Sequence, residues 1–301
     1  MMSEYHEPVL LKESINGLNI KESGIYIDAT FGGGGHSREL LSQLKKGRLI
    51  AFDQDQDSLK NIIQNDHRFT MINKNFRNLK KSLSEFKIFK IDGLIADLGV
   101  SSHQFSDNNR GFSIQYNSIL DMRMDQKSFK TGCQILNEYS QQHLNKIFKE
   151  YSDFKNPNKI TREIINYRDK KSIATVFDFK NIFQEMIPNR YANKFFARLF
   201  QAIRIEVNDE INALKDLLNQ TKDLLVSSGR VVIISYHSVE DKIVKKFMKY
   251  GRFQDSHETD FFGNQSKTFK VLTKKPIVAD KMELKMNNKS RSAKMRICEK
   301  I

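Results

Sequence analysis

Short apolar runs alternate with amphipathic, helix-like segments over the first hundred residues. The apolar runs are GIYIDATF, RLIAFDQD, FTMINKNF and IDGLIADLGVSS. Runs that are apolar almost throughout are typical of strands buried on both faces of a sheet. Between them, SRELLSQLKKG predicts a helix that ends at Gly47, and Leu59, Ile62 and Ile63 predict another. This alternation indicates βαβ units, and therefore an α/β fold with a doubly wound, Rossmann-like parallel sheet.

The pattern becomes helical after about residue 105, and no convincing strand is found from 130 to 200. Three sets of apolar residues follow the i, i+3, i+4, i+7 spacing of one helix face. They are Leu144, Ile147, Phe148 and Tyr151; Phe179, Ile182, Phe183 and Met186; and Phe196, Leu199, Phe200 and Ile203. We interpret each set as a stripe that faces a hydrophobic core.

Strand-like sequence returns near the C-terminus. Another amphipathic helix, with Gly229 as its predicted end, precedes the apolar strand RVVIISYHS; its apolar residues are Val207, Ile211, Leu214 and Leu218. The segment SVED predicts a further helix with Ser238 as N-cap, and TKKPIVAD and AKMRICEK predict two more strands. The most economical interpretation is one α/β domain, 1–105 and 201–301, interrupted by an all-helical insertion at 106–200. A tandem of two domains is the alternative.

Composition and charge narrow the function classes. The 301 residues contain no apolar run of about 18 residues and no signal-peptide core, so we expect no membrane partner. The two cysteines exclude a disulfide framework and a cysteine-based zinc site, and they favour a cytoplasmic location. The formal charge of +14 favours a polyanion such as nucleic acid. A Lys- and Asn-rich genome composition is the alternative explanation of that charge.

The segment DATFGGGGHS places a glycine loop between a predicted strand and a predicted helix. Glycines let a ligand approach the backbone closely, and the helix N-terminus adds a partial positive charge. The dinucleotide fingerprint G-x-G-x-x-G fails, because after Gly32 and Gly34 its third glycine would fall at Ser37. The loop therefore indicates a ligand site of another kind, and a turn without a ligand is the alternative.

Asp53 ends the second predicted strand, 25 residues after Asp28. An acidic side chain at this place commonly accepts hydrogen bonds from the hydroxyls of a ribose. Together with the glycine loop it favours a cofactor of the adenosine type. Phe76, at the end of the third predicted strand, is a candidate to pack on adenine, with a plain core phenylalanine as the alternative.

Polar side chains cluster after the fourth predicted strand, in ADLGVSSHQFS. Asp97, Ser101, Ser102 and Gln104 follow that strand at the carboxyl edge, where open α/β sheets bind ligands. Ser101 does not lie in the G-x-S-x-G elbow of a serine hydrolase. No histidines pair at metal-ligand spacing, so no metal is predicted.

Several motifs together carry a family resemblance. The chain resembles the bacterial RsmH (MraW) family of S-adenosylmethionine-dependent rRNA small-subunit methyltransferases. The motifs run in family order from residue 6 to 299: HEPVLLKES, YIDATFGGGGHS, DLGVSSHQ, RGFSI, LDMRMD, FQAIRIEVNDE, ISYHSVEDKIVK and RSAKMRICE. Two departures are His103, where many relatives have proline, and Cys298, where relatives often have alanine.

The resemblance implies a class I methyltransferase sheet with an inserted helical substrate-recognition domain. It implies methylation of the exocyclic 4-amino group of a cytidine in 16S rRNA, at the decoding centre of the small ribosomal subunit. The cofactor would be S-adenosyl-L-methionine. The sequence does not define the oligomeric state, and a homodimer is compatible with it. The implied cofactor-binding residues are Gly34, Gly35, His36, Asp53, Phe76, Asp97 and Gln104.

Catalysis at a cytosine amine calls for hydrogen-bond acceptors, because the nitrogen lone pair is delocalised into the ring. Asp97, with backbone carbonyls of LGVS, is our candidate acceptor, and Ser101 is a second catalytic candidate. The alternative is that Asp97 only holds the cofactor. The target base must leave its stack, and four residues are candidates to hold it: Arg110, Phe112, Tyr236 and His237.

Contacts to RNA phosphates should come from basic side chains. Arg190, Lys194 and Arg198 recur every four residues and form one helical stripe, and Arg123 is a further candidate. An ordinary solvated helix face is the alternative. The basic tail offers more candidates, namely Lys289, Arg291, Lys294 and Arg296.

Competing functions remain at this point. A methyltransferase acting on DNA or protein is one, although DNA amino-methyltransferases usually carry a D/N/S-P-P-Y/F loop where this chain reads DLGVSS. A nicotinamide-dependent oxidoreductase is disfavoured by the missing third glycine. A non-catalytic RNA-binding or ribosome-assembly factor is the third alternative.

Overall fold

The computed structural model describes residues 8–255, 258–259 and 265–301. Within the chain, two compact units can be distinguished. The first comprises the residues up to Gly99 and from Asn212 onward, and the second comprises Val100–Ile211. The sequence prediction placed an insertion at 106–200, and its role as a substrate-recognition domain stays a prediction.

The first unit contains a seven-stranded sheet. Its parallel strands run in the order β3-β2-β1-β4-β5, and β9 pairs antiparallel with both β5 and the edge strand β8. The predicted α/β class with a Rossmann-like sheet is confirmed. The strands are β1 (Ile25–Asp28), β2 (Arg48–Phe52), β3 (Phe69–Ile72), β4 (Ile91–Asp97), β5 (Leu225–Ser235), β6 (Glu258–Thr259), β7 (Gln265–Ser266), β8 (Phe269–Val271) and β9 (Lys294–Lys300).

Helices flank the sheet and form the second unit. They are α1 (Leu11–Leu18), α2 (Gly35–Ser42), α3 (Leu79–Glu85), α4 (Ser102–Ser106), α5 (Gly132–Glu138), α6 (Gln141–Tyr151), α7 (Pro157–Arg168), α8 (Val176–Asn181), α9 (Asn189–Asn208), α10 (Glu210–Leu224), α11 (Ser238–Tyr250) and α12 (Lys281–Met286). No helix among the described residues is long and apolar enough to cross a membrane.

The sheet separates two hydrophobic cores. Side chains alternate between the faces of a strand, so on β4 Leu94 and Ala96 join one core and Ile95 the other. Helices α3, α10 and α11 cover the first core, and α1 and α2 cover the second. Burial on both faces explains why the central strands appear in the sequence as continuous apolar runs.

The helical unit has its own core, built largely from the predicted stripes. The residues of the α6 and α9 stripes are buried there, apart from the half-buried Tyr151. The stripe predicted from Phe179 to Met186 is only partly correct, because α8 ends at Asn181. Phe179 and Phe183 remain in the core, whereas Met186 is 37% exposed.

Four element predictions were wrong in detail. Helix α10 ends at Leu224, and Gly229 lies inside β5, where Asp92 O and Val226 O leave no room for a Cβ. The helix predicted through Leu59, Ile62 and Ile63 is a 3-10 helix, Gln56–Asn61, that ends before the two isoleucines. His237, and not Ser238, is the N-cap of α11, because its side chain accepts from the Glu240 N–H. In TKKPIVAD, only an isolated bridge joins Ile277 to Met295.

Candidate functional site

The glycine loop ends β1 and begins α2. Gly32 and Gly34 have φ angles of 49° and 76°, a left-handed conformation that strongly favours glycine. A Cβ on Gly35 would lie 2.1 Å from Pro8 Cγ, and one on Gly34 would lie 2.8 Å from the Phe31 ring. The loop backbone is therefore closely packed on one side, and these positions have no space for larger residues.

Asp28 anchors this loop from the end of β1. Its Oδ1 accepts from the Thr30 N–H at 3.0 Å, and its Oδ2 accepts from the Ser37 hydroxyl at 2.7 Å. The side chain is buried, and burial raises the pKa of Asp28. Sequence analysis did not assign Asp28 or Ser37 to the site, although an aspartate directly before a glycine run was the available signal.

Asp53 joins the end of β2 to the same loop. Its Oδ2 accepts from the Gly32 N–H at 2.7 Å, and its Oδ1 accepts from the Asp55 N–H at 2.9 Å. Burial raises the pKa of this carboxyl group to about 6. The structure thus brings together the glycine loop and the acidic side chain that the sequence selected, at the carboxyl ends of two neighbouring strands.

His36 and Phe76 occupy different surroundings. His36 is buried in the first turn of α2, with Nε2 3.1 Å from Val9 O, and burial lowers its pKa. Since its partner is a carbonyl oxygen, Nε2 carries the proton of a neutral ring. Phe76 follows β3, begins the 3-10 helix Phe76–Asn78, and packs half-buried against the first core.

Asp97 ends β4. Its backbone N–H donates to Thr30 Oγ1 at 2.7 Å, and its Oδ1 accepts from the Tyr236 hydroxyl at 2.7 Å. Burial raises the pKa of Asp97 to about 6, and that of Tyr236 is raised as well, again mainly by burial. The Tyr236 hydroxyl therefore stays protonated and donates a hydrogen bond to the carboxylate. This pairing could not be predicted from the sequence, because the two residues are 139 positions apart.

Tyr236 and His237, predicted to hold the target base, have partners within the first unit. The Tyr236 N–H donates to Glu240 Oε2 at 3.0 Å. His237 Nδ1 accepts from the Glu240 N–H at 3.4 Å, and its Nε2 lies 3.2 Å from Glu240 Oε1. The His237 side chain caps α11 and is only 6% exposed, so it does not form an open wall for the target base.

Ser101 and Gln104 lie in the second unit, where they form a capping box at the start of α4. The Ser101 hydroxyl accepts from the Gln104 N–H at 3.2 Å, and Gln104 Oε1 accepts from the Ser101 N–H at 3.0 Å. Gln104 is buried. The structure therefore gives Ser101 a helix-capping role that sequence analysis missed.

Three predicted RNA-contacting residues are engaged in contacts within the helical unit. Arg110 is 4% exposed and donates to Arg123 O at 2.7 Å and to Met124 O at 3.1 Å. Phe112 is buried in the helical core. Arg123 donates to both carboxylate oxygens of Asp121, at 2.9 and 2.6 Å, and to Ser128 O at 2.6 Å. In this structure, all three residues stabilise the loops of their own unit.

The predicted basic stripe on α9 is divided. Arg190 and Lys194 are exposed. Arg198 instead donates to Ser152 O at 2.8 Å and lies 4.2 Å from the centre of the Phe154 ring. In the tail, Arg296 is 6% exposed and bound to Asp241, so it is not an RNA-facing side chain.

Comparison with known proteins agrees with the motif resemblance. The model of the MraW methylase family matches residues 3–301. The ribosomal RNA small subunit methyltransferase H of Flavobacterium johnsoniae is 48% identical over 299 residues, covering 99% of this chain and 98% of the relative. The protein of the same name from Azobacteroides pseudotrichonymphae is 49% identical over 298 residues, covering 99% and 98%.

Among solved structures, an rRNA methylase from Streptococcus thermophilus aligns with a TM-score of 0.44 and 12% identity, over 96% of this chain and 95% of that one. The identity across nearly the whole of the curated relatives is far more informative than this likeness. The resemblance inferred from the sequence motifs is confirmed, and the chain belongs to the MraW methylase family.

Proposed function

We propose that this protein uses S-adenosylmethionine to methylate the exocyclic 4-amino group of a cytidine in 16S rRNA, at the decoding centre of the small ribosomal subunit. The observation that carries the proposal is the family match over residues 3–301, together with relatives named ribosomal RNA small subunit methyltransferase H at 46–49% identity. A cytoplasmic location, where ribosomes assemble, is part of the same proposal.

The residues at the ends of β1, β2 and β4 fit S-adenosylmethionine. When bound, this cofactor supplies a methyl group activated by a positively charged sulfur. The glycine loop at Gly34 and Gly35, which carries no side chains, would let the cofactor approach its backbone closely. Asp53 offers a carboxylate for ribose hydroxyls. His36 and Phe76 are part of this proposal as further cofactor-binding residues. For Gln104, the cofactor role rests on the family resemblance alone.

Asp97 would act on the target amine. An ionised carboxylate accepts hydrogen bonds from N–H groups, so Asp97 can orient the amine and draw its lone pair out of conjugation with the ring. It can also take up a proton that the methylated nitrogen releases. Much of the acceleration should come from holding the amine in line at short range. Ser101 receives no chemical step in this proposal, since its hydroxyl already caps α4.

Arg190 and Lys194 remain our candidates for contacts with the RNA backbone. Both side chains are exposed on α9 of the helical unit. Phosphate contacts of this kind give affinity without reading the sequence. The net charge of +14 is consistent with a polyanionic substrate.

The proposal is tested by methyl transfer to small ribosomal subunits isolated without the modification, followed by nucleoside mass spectrometry of the rRNA. We expect 4-methylated cytidine at one position. DNA and a protein mixture serve as parallel acceptors. Methylation of those alone would favour the competing methyltransferase classes, and cofactor binding without transfer to any acceptor would favour a non-catalytic assembly factor.

Cofactor affinity should depend on the protonation of Asp53. Because its pKa is raised to about 6, the carboxylate that ribose hydroxyls need is mostly protonated at pH 5. If binding requires the ionised form, the affinity for S-adenosylhomocysteine should fall about 10-fold between pH 8 and pH 5.

Calorimetric titration at several pH values would measure this effect. The Asp53→Asn variant should bind weakly already at pH 8 and show a flatter dependence. An affinity of the unsubstituted protein that stays constant from pH 5 to 8 would contradict the assignment of Asp53.

A further inference from the structure

We infer that Tyr236 is a positioning residue that fixes the Asp97 carboxylate in the orientation needed to accept a hydrogen bond from the target amine. This inference rests on the proposed function and deepens it. It differs from the sequence prediction, in which Tyr236 was a candidate wall for the extruded base. The observation behind it is the 2.7 Å hydrogen bond from the Tyr236 hydroxyl to Asp97 Oδ1.

The sheet brings these two residues together. Strands β4 and β5 are parallel, and Asp97 pairs with Ile234 in their register. The Leu98 N–H then donates to Ile234 O at 2.9 Å, which keeps the chain after β4 beside β5. Neighbouring parallel strands end at the same edge of a sheet, so Tyr236 leaves β5 beside the carboxylate at the end of β4.

Tyr236 is restrained at both its backbone and its ring. Its N–H donates to the buried Glu240 at the start of α11. Its ring packs against the core on one face of the sheet and against Gly99. A Cβ on Gly99, whose φ is 104°, would lie 3.3 Å from Tyr236 Cδ2, so this glycine allows the ring to pack closely there. The hydroxyl is therefore held in place by packing that does not involve Asp97.

The titratable groups around the pair fix the direction of the hydrogen bond. Asp97 is faced by His36 from α2, Asp28 from β1 and Glu240 from α11, while Glu283 from α12 acts on Tyr236. Burial raises the pKa of Tyr236, and Asp97, Glu240 and Glu283 raise it further. Its hydroxyl therefore stays protonated and can only donate to an ionised Asp97. A donor on one oxygen favours the ionised carboxyl group.

The hydrogen bond from Tyr236 leaves the second carboxylate oxygen of Asp97 as the acceptor for the amine. Tyr236 occupies Oδ1, and within the described part of the chain no hydrogen bond reaches Asp97 Oδ2. A carboxylate held through one oxygen cannot rotate freely about its χ2 bond, so Oδ2 keeps one direction. Fixed acceptors of this kind lose no orientation when the substrate arrives, which raises the rate of the step that uses them.

The test compares Tyr236→Phe, which removes the donor and keeps the ring, with Tyr26→Phe. Tyr26 is a matched control, because it is a buried tyrosine of the same sheet whose hydroxyl accepts from the Lys21 N–H at 2.7 Å. The first readout needs no substrate: it is the pKa of Asp97, followed by carboxyl ¹³C NMR and assigned with Asp97→Asn. Tyr236→Phe should raise this pKa by about one unit, and Tyr26→Phe should leave it unchanged.

The second readout is methyl transfer to unmodified small subunits. Tyr236→Phe should lower kcat about 10-fold, change the KM for the cofactor less than about twofold, and move the acid limb of the pH profile upward by the same single unit. A second variant, Gly99→Ala, displaces the ring and keeps the hydroxyl. It should change kcat and the acid limb in the same direction.

An unchanged pKa of Asp97 in Tyr236→Phe would overturn the inference, and so would an unchanged kcat. Failure of the proposed function and failure of the inference about Tyr236 give different results. Absence of methyl transfer by the unsubstituted protein would count against the proposed function, while the NMR titration of the same protein still decides whether Tyr236 controls Asp97.

Discussion

Replacing Asp97 with asparagine is expected to lower the kcat of methyl transfer at least about 100-fold at pH 8, a loss typical of removing a proton-transfer group. Asparagine has nearly the same shape, and its Oδ1 can still accept from the Tyr236 hydroxyl, as the carboxylate does at 2.7 Å. Its second terminal atom, however, becomes an NH₂ donor. This donor would face the cytosine amine, which must itself donate. The asparagine NH₂ also could not take up the proton that the methylated nitrogen releases.

Two measurements separate the roles of Asp97. Turnover is followed on unmodified small subunits, and the affinity for S-adenosylhomocysteine is measured by calorimetry. Loss of turnover with retained affinity would support the acceptor role. A parallel loss of both would make Asp97 chiefly a cofactor ligand, and unchanged turnover would contradict either role.

Asp92→Asn is the matched control. Asp92 lies on the same strand, β4, but at its opposite end, where its carboxylate accepts from the Ile25 N–H at 3.0 Å and from Lys21 Nζ at 3.2 Å. The amide substitution is chemically the same, and the strand is the same. We expect kcat within about twofold of the unsubstituted value, because ligand sites of open α/β sheets lie at the other edge.

The parallel sheet was predictable because burial on both faces leaves a direct mark on the sequence. Runs such as RLIAFDQD open with few polar interruptions, and they became β1 to β5 with errors of up to five residues at their ends. The rule that ligands bind at the carboxyl edge of an open α/β sheet predicted that the glycine loop, Asp53 and Asp97 lie close together. The sequence therefore predicted where the candidate site lies on the sheet.

Local competition among hydrogen bonds could not be predicted in the same way. A capping pattern of Ser238 with Asp241 resembles a helix start, yet His237 caps the helix one residue earlier. Gly229 resembles a helix stop, yet it lies inside β5, where neighbouring backbone atoms leave room only for glycine. In both cases the folded chain uses one of two signals that are equally acceptable in the sequence.

The partners of the arginines could not be predicted from the sequence either. A guanidinium can bind a phosphate or a backbone carbonyl with the same donors, so the sequence cannot distinguish the two. Arg110, Arg123 and Arg198 were predicted to contact RNA, and each instead donates to carbonyl oxygens of the helical unit. The net charge of +14 therefore overstates the charge available to a polyanion, and exposed side chains such as Arg190 and Lys194 become the better candidates.

The buried ion pair between Arg296 and Asp241 is expected to contribute strongly to stability. Its guanidinium binds Asp241 through both carboxylate oxygens, at 2.6 and 3.2 Å, and the two side chains are 7% and 13% exposed. Replacing Asp241 with leucine should lower the free energy of unfolding by about 3–5 kcal/mol, because it leaves a buried positive charge without its partner. Lys294 Nζ, 3.9 Å from the same carboxylate, adds to the uncompensated charge. Equilibrium denaturation of the two proteins measures the difference.

The double variant Asp241→Leu with Arg296→Met tests the cause of that loss. If the cost comes from the orphaned charge, replacing both partners with apolar side chains should recover most of the stability, because a buried ion pair contributes little more than well-packed apolar groups. Glu22→Gln is the control, since it breaks an ion pair with Lys45 whose side chains are 59% and 73% exposed. Exposed pairs of this kind contribute about 0–1 kcal/mol. A double variant no more stable than Asp241→Leu would show that the site needs a polar contact between α11 and β9, and not merely charge balance.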